Sequence, residues 1–105
     1  MEAKKIINVA RDFGTEPAGR FPTDGEYCGE AFREKLLWPA LSRYERVVVE
    51  MDGTEGYGSS FLEEAFGGLV RIHGCTPSDL RTRLSLVSHE DESLLGEIWE
   101  YIGQE

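Results

Sequence analysis

The sequence predicts a mixed α/β fold: a β-sheet with helices packed against it in one domain. Three observations carry this. Strand-like and helix-like segments alternate along the chain. One run, Val47-Val48-Val49, is apolar at every position, as in an inner strand of such a sheet. The 105 residues give room for one domain with a two-layer core.

Taken in order, Ile6, Ile7 and Val9 are β-formers and predict a first strand over about 5–11. Gly14 to Gly25 holds three glycines and two prolines and reads as turns around a short extended piece at Arg20-Phe21, a second strand that would pair with the first. A helix should follow Asp24-Gly25, with Asp24 or Glu26 near its N-terminus. Phe32, Leu36 and Leu37 are its apolar positions, and Pro39 should end or kink it near Trp38.

Arg46 to Met51 is the central strand, closed by Asp52 and Gly53, with Thr54 to Gly58 as a loop. A second helix is predicted from about Ser60 to His73, with Phe61, Leu62, Ala65, Phe66, Leu69, Val70 and Ile72 as its apolar stripe. Gly74 fits its C-terminal cap, and His73 suits the negative end of the helix dipole. Gly67 and Gly68 each weaken this helix by about 1 kcal/mol relative to alanine, so close packing must offset them. Thr82 to Ser88 reads as a strand. Ser88 should then cap a last helix over about 90–102, with Leu94, Leu95, Ile98, Trp99 and Ile102 inward.

The net charge of −9 opposes binding to nucleic acid or an anionic membrane. From Val47 to Val70 there are five acidic residues (Glu50, Asp52, Glu55, Glu63, Glu64) and no basic one, which favours a partner with a basic face. No apolar run approaches the length of a membrane span, and the first residues lack a secretory signal pattern. A cytoplasmic location is expected. Cys28 and Cys75 sit in no CxxC pair, and His73 and His89 are not at metal-ligand spacing. No cofactor or metal site is expected, and reduced thiols fit the cytosol.

The strongest local pattern is Ser59 to Leu69, S-S-F-L-E-E-A-F-G-G-L, after the strand end V-V-V-E-M-D-G at Val47 to Gly53. With Gly19-Arg20, Asp24-Gly25 and the F-R-E-K-L-L-W-P-A-L segment from Phe32 to Leu41, it resembles a STAS-like family of prokaryotic domains, related to anti-sigma factor antagonists. The resemblance implies the STAS α/β fold and a non-enzymatic regulatory role in signalling through protein binding. It implies a histidine-kinase-like ATPase or anti-sigma-type protein as partner, and a switch by phosphorylation of a serine at the turn. By motif that serine is Ser59, with Ser60 second. Asp52, Thr54, Glu55, Tyr57, Gly58, Ser59, Glu63 and Glu64 are the candidate partner-binding residues. The chain has Gly58 where the better-known relatives have an acidic residue, and Phe61 where they have glycine. These departures favour binding over phosphorylation.

Competing roles exist for the same residues. Ser60-Phe61-Leu62-Glu63 is also a capping box, in which Ser60 and Glu63 satisfy each other's backbone donors. Asp52 suits the end of a strand as well as a ligand. An alternative function is a small-ligand sensor or minor enzyme using the Arg20–Gly25 loop, chiefly Arg20 and Asp24, with Asp52. No catalytic residue is assigned, and the sequence leaves the oligomeric state open.

Overall fold

The β-formers at the start of the chain and the Val47–Val49 run lie side by side. In a computed structural model, which describes residues 2–105, strands β1 (Glu2–Asn8), β2 (Tyr44–Glu50) and β3 (Leu84–Val87) form one sheet in the order β1-β2-β3. Both pairings are parallel, with Ile7 opposite Val49 and Val49 opposite Leu86. Five helices accompany it: α1 (Val9–Asp12), α2 (29–43), α3 (59–71), α4 (Pro77–Arg83) and α5 (Ser93–Gly103). The α/β class with helices on a sheet is therefore observed.

Because the side-chain repeat of a strand is two, Ile7, Val47, Val49 and Leu84 share one face and are buried. They meet Phe32, Leu37 and Leu41 of α2 and Phe61, Leu62, Ala65 and Leu69 of α3. The opposite face carries Lys4, Ile6, Arg46 and Ser85, all exposed, with Val48 half-buried. Burial of β2 on both faces, as its apolar run suggests, is not what forms. Both crossovers step the same way across the sheet, and with the same hand they put their helices on the same side, where α2 and α3 share one core with Ile7, Val47, Val49 and Leu84.

Several boundaries differ from the sequence reading, each for a physical reason. β1 stops at Asn8, whose side chain accepts from the Arg11 amide at 2.9 Å and turns the chain into α1. Arg20-Phe21 is not a strand: Asp24 Oδ2 accepts from both their amides at 3.1 Å and closes a turn that continues as a 3₁₀ turn, Pro22–Asp24. Neither Asp24 nor Glu26 caps α2. It begins at Gly29, and the Gly19 and Arg20 carbonyls accept from the Gly29 and Glu30 amides at 2.9 and 3.0 Å.

Pro39 does not end α2. A π-turn over Arg33–Leu37 sets the hydrogen-bond ladder out of α register just ahead of the ring, with the Trp38 amide donating to the Arg33 carbonyl. Pro77 follows the end of α3 and also opens a helix that the sequence reading did not include, α4, behind an N-cap, Thr76, whose hydroxyl accepts from the Asp79 amide at 3.1 Å. The predicted strand shrinks accordingly to β3. Ser88 donates to the Asp91 carbonyl and does not cap α5; Asp91 Oδ1 accepts from the Ser93 amide at 3.1 Å. At the end of α3, Gly74 does take the left-handed conformation, φ 71°, that a C-terminal cap needs. His73 stacks on Trp38 with 4.2 Å between ring centroids and lies 2.6 Å from Glu34.

Candidate functional site

The loop after β2 leaves the C-terminal edge of the parallel sheet, where open α/β sheets present their ligands. Met51 extends the pairing by donating from its amide to the Val87 carbonyl at 2.8 Å. Asp52 then reaches across to the segment after β3. Its carboxylate accepts from the Glu90 amide at 2.9 Å and from the His89 amide at 2.9 and 3.1 Å. These amides, Glu90 first and His89 second, hold the Asp52 carboxyl below the usual carboxylate range. Glu90 answers by accepting from the Gly53 amide at 2.9 Å. Gly53 adopts φ 98°, so glycine is required for the chain to reverse beside Ala10.

The rest of the loop is pinned from inside. The Glu55 amide donates to the Thr15 carbonyl at 2.7 Å, and the Tyr57 hydroxyl donates to the Met51 carbonyl at 2.7 Å. Burial pushes the Tyr57 phenol up to about 12. Asp52, Thr54, Glu55 and Tyr57 together line a cavity of about 180 Å³, completed by Glu90, Asp91 and Leu94. Met51, Gly56 and Ser88 fill out the lining, so four of its ten residues are carboxylates and none is basic. The cleft therefore suits a cationic group, such as a basic side chain, and repels anions.

Beyond the loop, Gly58 is the N-cap of α3 and supplies no side-chain acceptor. Ser59 and Ser60 are the first two helical residues and both are exposed. The capping box does not form. Ser60 lies inside the helix rather than at its cap, and Glu63 is taken by two arginines, Arg20 and Arg71, the latter at 2.8 Å.

The remaining predicted acidic residue lies elsewhere. Glu64 is buried, and its carboxylate meets Arg33 at 2.8 Å, Arg71 at 3.3 Å and Arg20 at 3.5 Å. Arg33 is itself buried, and its guanidinium also donates to the Glu64 carbonyl and to Glu34. This network joins the two π-turns, Arg33–Leu37 in α2 and Glu63–Gly67 in α3. It accounts for the two glycines in α3. A methyl group on Gly68 would collide with the Arg33 guanidinium, and one on Gly67 would come within 2.7 Å of Glu63 Oε2. Burial pushes the Glu63 carboxyl up, but its bonds from Arg71 and Arg20 prevail and hold it at about 2.

The structure thus gathers Asp52, Thr54, Glu55 and Tyr57 in one cleft, with Gly58 and Ser59 following at the helix start. Glu63 and Glu64 belong to the seam between α2 and α3. Arg20 and Asp52 are not brought together: Arg20 pairs with Glu63, Asp24 accepts from the loop's own amides, and neither lines the cavity at Asp52. Glu90 and Asp91 are cleft residues that the sequence reading missed. Their local signal, S-H-E-D-E before an apolar helix, looks like an ordinary helix start. Among the described residues, no group of three His, Cys, Asp or Glu side chains is arranged to hold a metal ion. Both cysteines are free thiols, Cys28 buried and Cys75 half-buried. No helix among the described residues is long and apolar enough to cross a membrane.

A family model described as a STAS-like domain of unknown function (DUF4325) matches residues 28–94. That span runs from the residue before α2, through the loop and α3, to the start of α5. No curated protein and no solved structure matches the chain.

Proposed function

The chain belongs to this STAS-like family, and from that premise we propose that it is a non-enzymatic regulatory domain of the anti-sigma-antagonist type. Its working surface is the Asp52–Ser60 loop and the start of α3. The observation that supports this reading is the contrast within the loop. Asp52 and Glu55 are tied to two other segments and Tyr57 to the loop's own base at Met51, while Gly56, Gly58, Ser59 and Ser60 stand exposed beside the acidic cleft. A surface held ready in this way binds with little ordering cost. The cleft receives a basic side chain of the partner, an ATPase domain of the histidine-kinase-like class. The regulatory phosphoacceptor that the family resemblance implies is Ser59, exposed on the first turn of α3. A phosphate there adds about −1.5 to −2 charge next to an already acidic cleft and repels the same partner.

The test is affinity capture from the native host with the wild-type chain and with Ser59→Glu, quantified by mass spectrometry. The expected result is a histidine-kinase-like ATPase recovered by the wild type and depleted about tenfold with Ser59→Glu, a loss of about 1.4 kcal/mol. The purified pair with Mg-ATP should then add one phosphate, and Ser59→Ala should abolish it. Recovery of no such ATPase, under conditions where a known antagonist pair is recovered, sinks the reading.

A further inference from the structure

A second surface has the opposite charge. Along the outer edge of β1 runs a groove of about 550 Å³, between the strand and α2. Its rim carries Lys5, Arg11, Lys35 and Arg43, with Asp12 the only carboxylate in its lining. Asp12 is taken by Arg11, at 2.9 Å. Among the described residues, no carboxylate lies within ion-pairing distance of Lys5, Lys35 or Arg43, whereas Arg20, Arg33, Arg71 and Arg83 all have such partners. Three cations without a direct ion-pair partner cluster here in a chain of net charge −9.

The same place has a free strand edge. β1 pairs only with β2 among the described residues. The Asn8 amide donates to Asp12 Oδ2 at 2.8 Å instead of to the sheet, so it faces outward. By the two-residue repeat of a strand, the amides and carbonyls of Ile6 and Lys4 face outward as well. The side chain of Lys5 points to the helix side and the groove, whereas Ile6, 43% exposed, points to the open face of the sheet.

We propose that the edge of β1 takes up an acidic, extended segment of another protein as a fourth strand. Alternate side chains of the segment point to opposite sides. Glu or Asp at every second position meets Lys5, Lys35 and Arg43 in the groove. Apolar residues between them cover Ile6 on the other face. Main-chain hydrogen bonds to Lys4 and Ile6 supply affinity, and the alternation supplies specificity. Nucleic acid offers the negative charge but cannot form the peptide ladder with the free edge of β1. This surface is separate from the Asp52–Ser60 loop, and the inference does not rest on the function proposed for that loop.

The test uses the full chain, ¹⁵N-labelled, and a fluorescein-labelled, end-capped peptide of about ten residues alternating glutamate with valine. Anisotropy should report saturable binding, with amide shifts concentrated at Lys4, Lys5 and Ile6. The double variant Lys35→Glu/Arg43→Glu changes two exposed residues and should keep the far-UV circular dichroism of the parent while weakening binding about tenfold or more. A peptide N-methylated at every second residue keeps its charge but loses the ladder, and should bind about tenfold more weakly or worse. The proposal is overturned if the N-methylated peptide or a single-stranded oligonucleotide of equal charge binds as tightly as the plain peptide. It is equally overturned if the double variant binds unchanged, if the shifts fall elsewhere, or if no peptide binding appears up to about millimolar concentration.

Discussion

A methyl group on Gly68 should unseat the Arg33 guanidinium. Gly68 has ordinary helical dihedrals, φ −61° and ψ −23°, so Gly68→Ala asks nothing unusual of the backbone. In an open helix this change would stabilise by about 1 kcal/mol. Here the new carbon would also sit 2.9 Å from Arg33 Cζ and 3.2 Å from its Cδ. Arg33 has nowhere to swing, because it is 2% exposed and bonded to Glu64 and Glu34. Moving it leaves the buried Glu64 carboxylate short of its closest partner, and breaking a buried pair costs about 3–5 kcal/mol. The net expectation is a loss of about 2–4 kcal/mol. Urea unfolding followed by circular dichroism measures it, with an unchanged slope and a midpoint lower by about 1–2 M. Gly96→Ala is the matched control. It lies in α5 with nothing within 4 Å of the added carbon, and it should stabilise by about 0.5–1 kcal/mol. If Gly68→Ala proves neutral or stabilising alongside Gly96→Ala, the claim that glycine is there to seat Arg33 is wrong.

Three further predictions use other parts of the structure. Glu63, held at about 2 against an ordinary 4.5, contributes stability that is complete above pH 4.5 and is lost as pH falls toward 2. The contribution is about 1–3 kcal/mol after screening at its partly exposed arginines, and Glu63→Gln should flatten that part of an acid-denaturation curve; an unaltered slope would refute the pairing. Tyr57→Phe removes the donor to the Met51 carbonyl and should cost about 1 kcal/mol in thermal or urea unfolding, and the parent phenol should titrate near 12 by ultraviolet absorbance. Gly58→Asp places a side-chain acceptor at the N-cap of α3, where the backbone is extended and the added carbon meets nothing, and should stabilise by a few tenths of a kcal/mol; destabilisation would mean the loop needs glycine for another reason.

What was legible in the sequence was what periodicity and local chemistry decide. The Val47–Val49 strand and the apolar stripe of α3 follow from spacing alone, and Gly74 follows from the needs of a helix C-terminus. The errors have two sources: local side-chain bonds that turn the chain, as at Asn8, Asp24 and Ser88, and partners distant in sequence. Ser60 and Glu63 have capping-box spacing, but Arg20, 43 positions before Glu63, claims the carboxylate. Pro39 leaves an end and a kink equally open in the sequence, because the π-turn that lets the helix run past it has no sequence signature. Pro77 was ambiguous in itself, since proline suits both the residue after one helix and the first residue of the next. The cleft was half legible. Asp52 was visible as a strand end, but Glu90 and Asp91 reach it only because β3 is parallel to β2 and ends beside it.

The charges of α3 show why its two ends serve different purposes. Glu63 and Glu64 are paired within the molecule with Arg20, Arg33 and Arg71, so they add little to the field that a partner meets at the cleft. The acidity that a partner meets comes instead from Asp52, Glu55, Glu90 and Asp91, which no arginine or lysine pairs among the described residues. The middle of the helix is thereby fixed against α2 by buried ion pairs, which gain little net stability but tolerate little displacement. A helix so anchored holds its first turn, with Ser59 and Ser60, at a set position relative to the cleft. On this argument, substitutions in the ion-pair seam should weaken partner binding by displacing the helix start, and substitutions in the cleft should weaken it with the unfolding midpoint nearly unchanged.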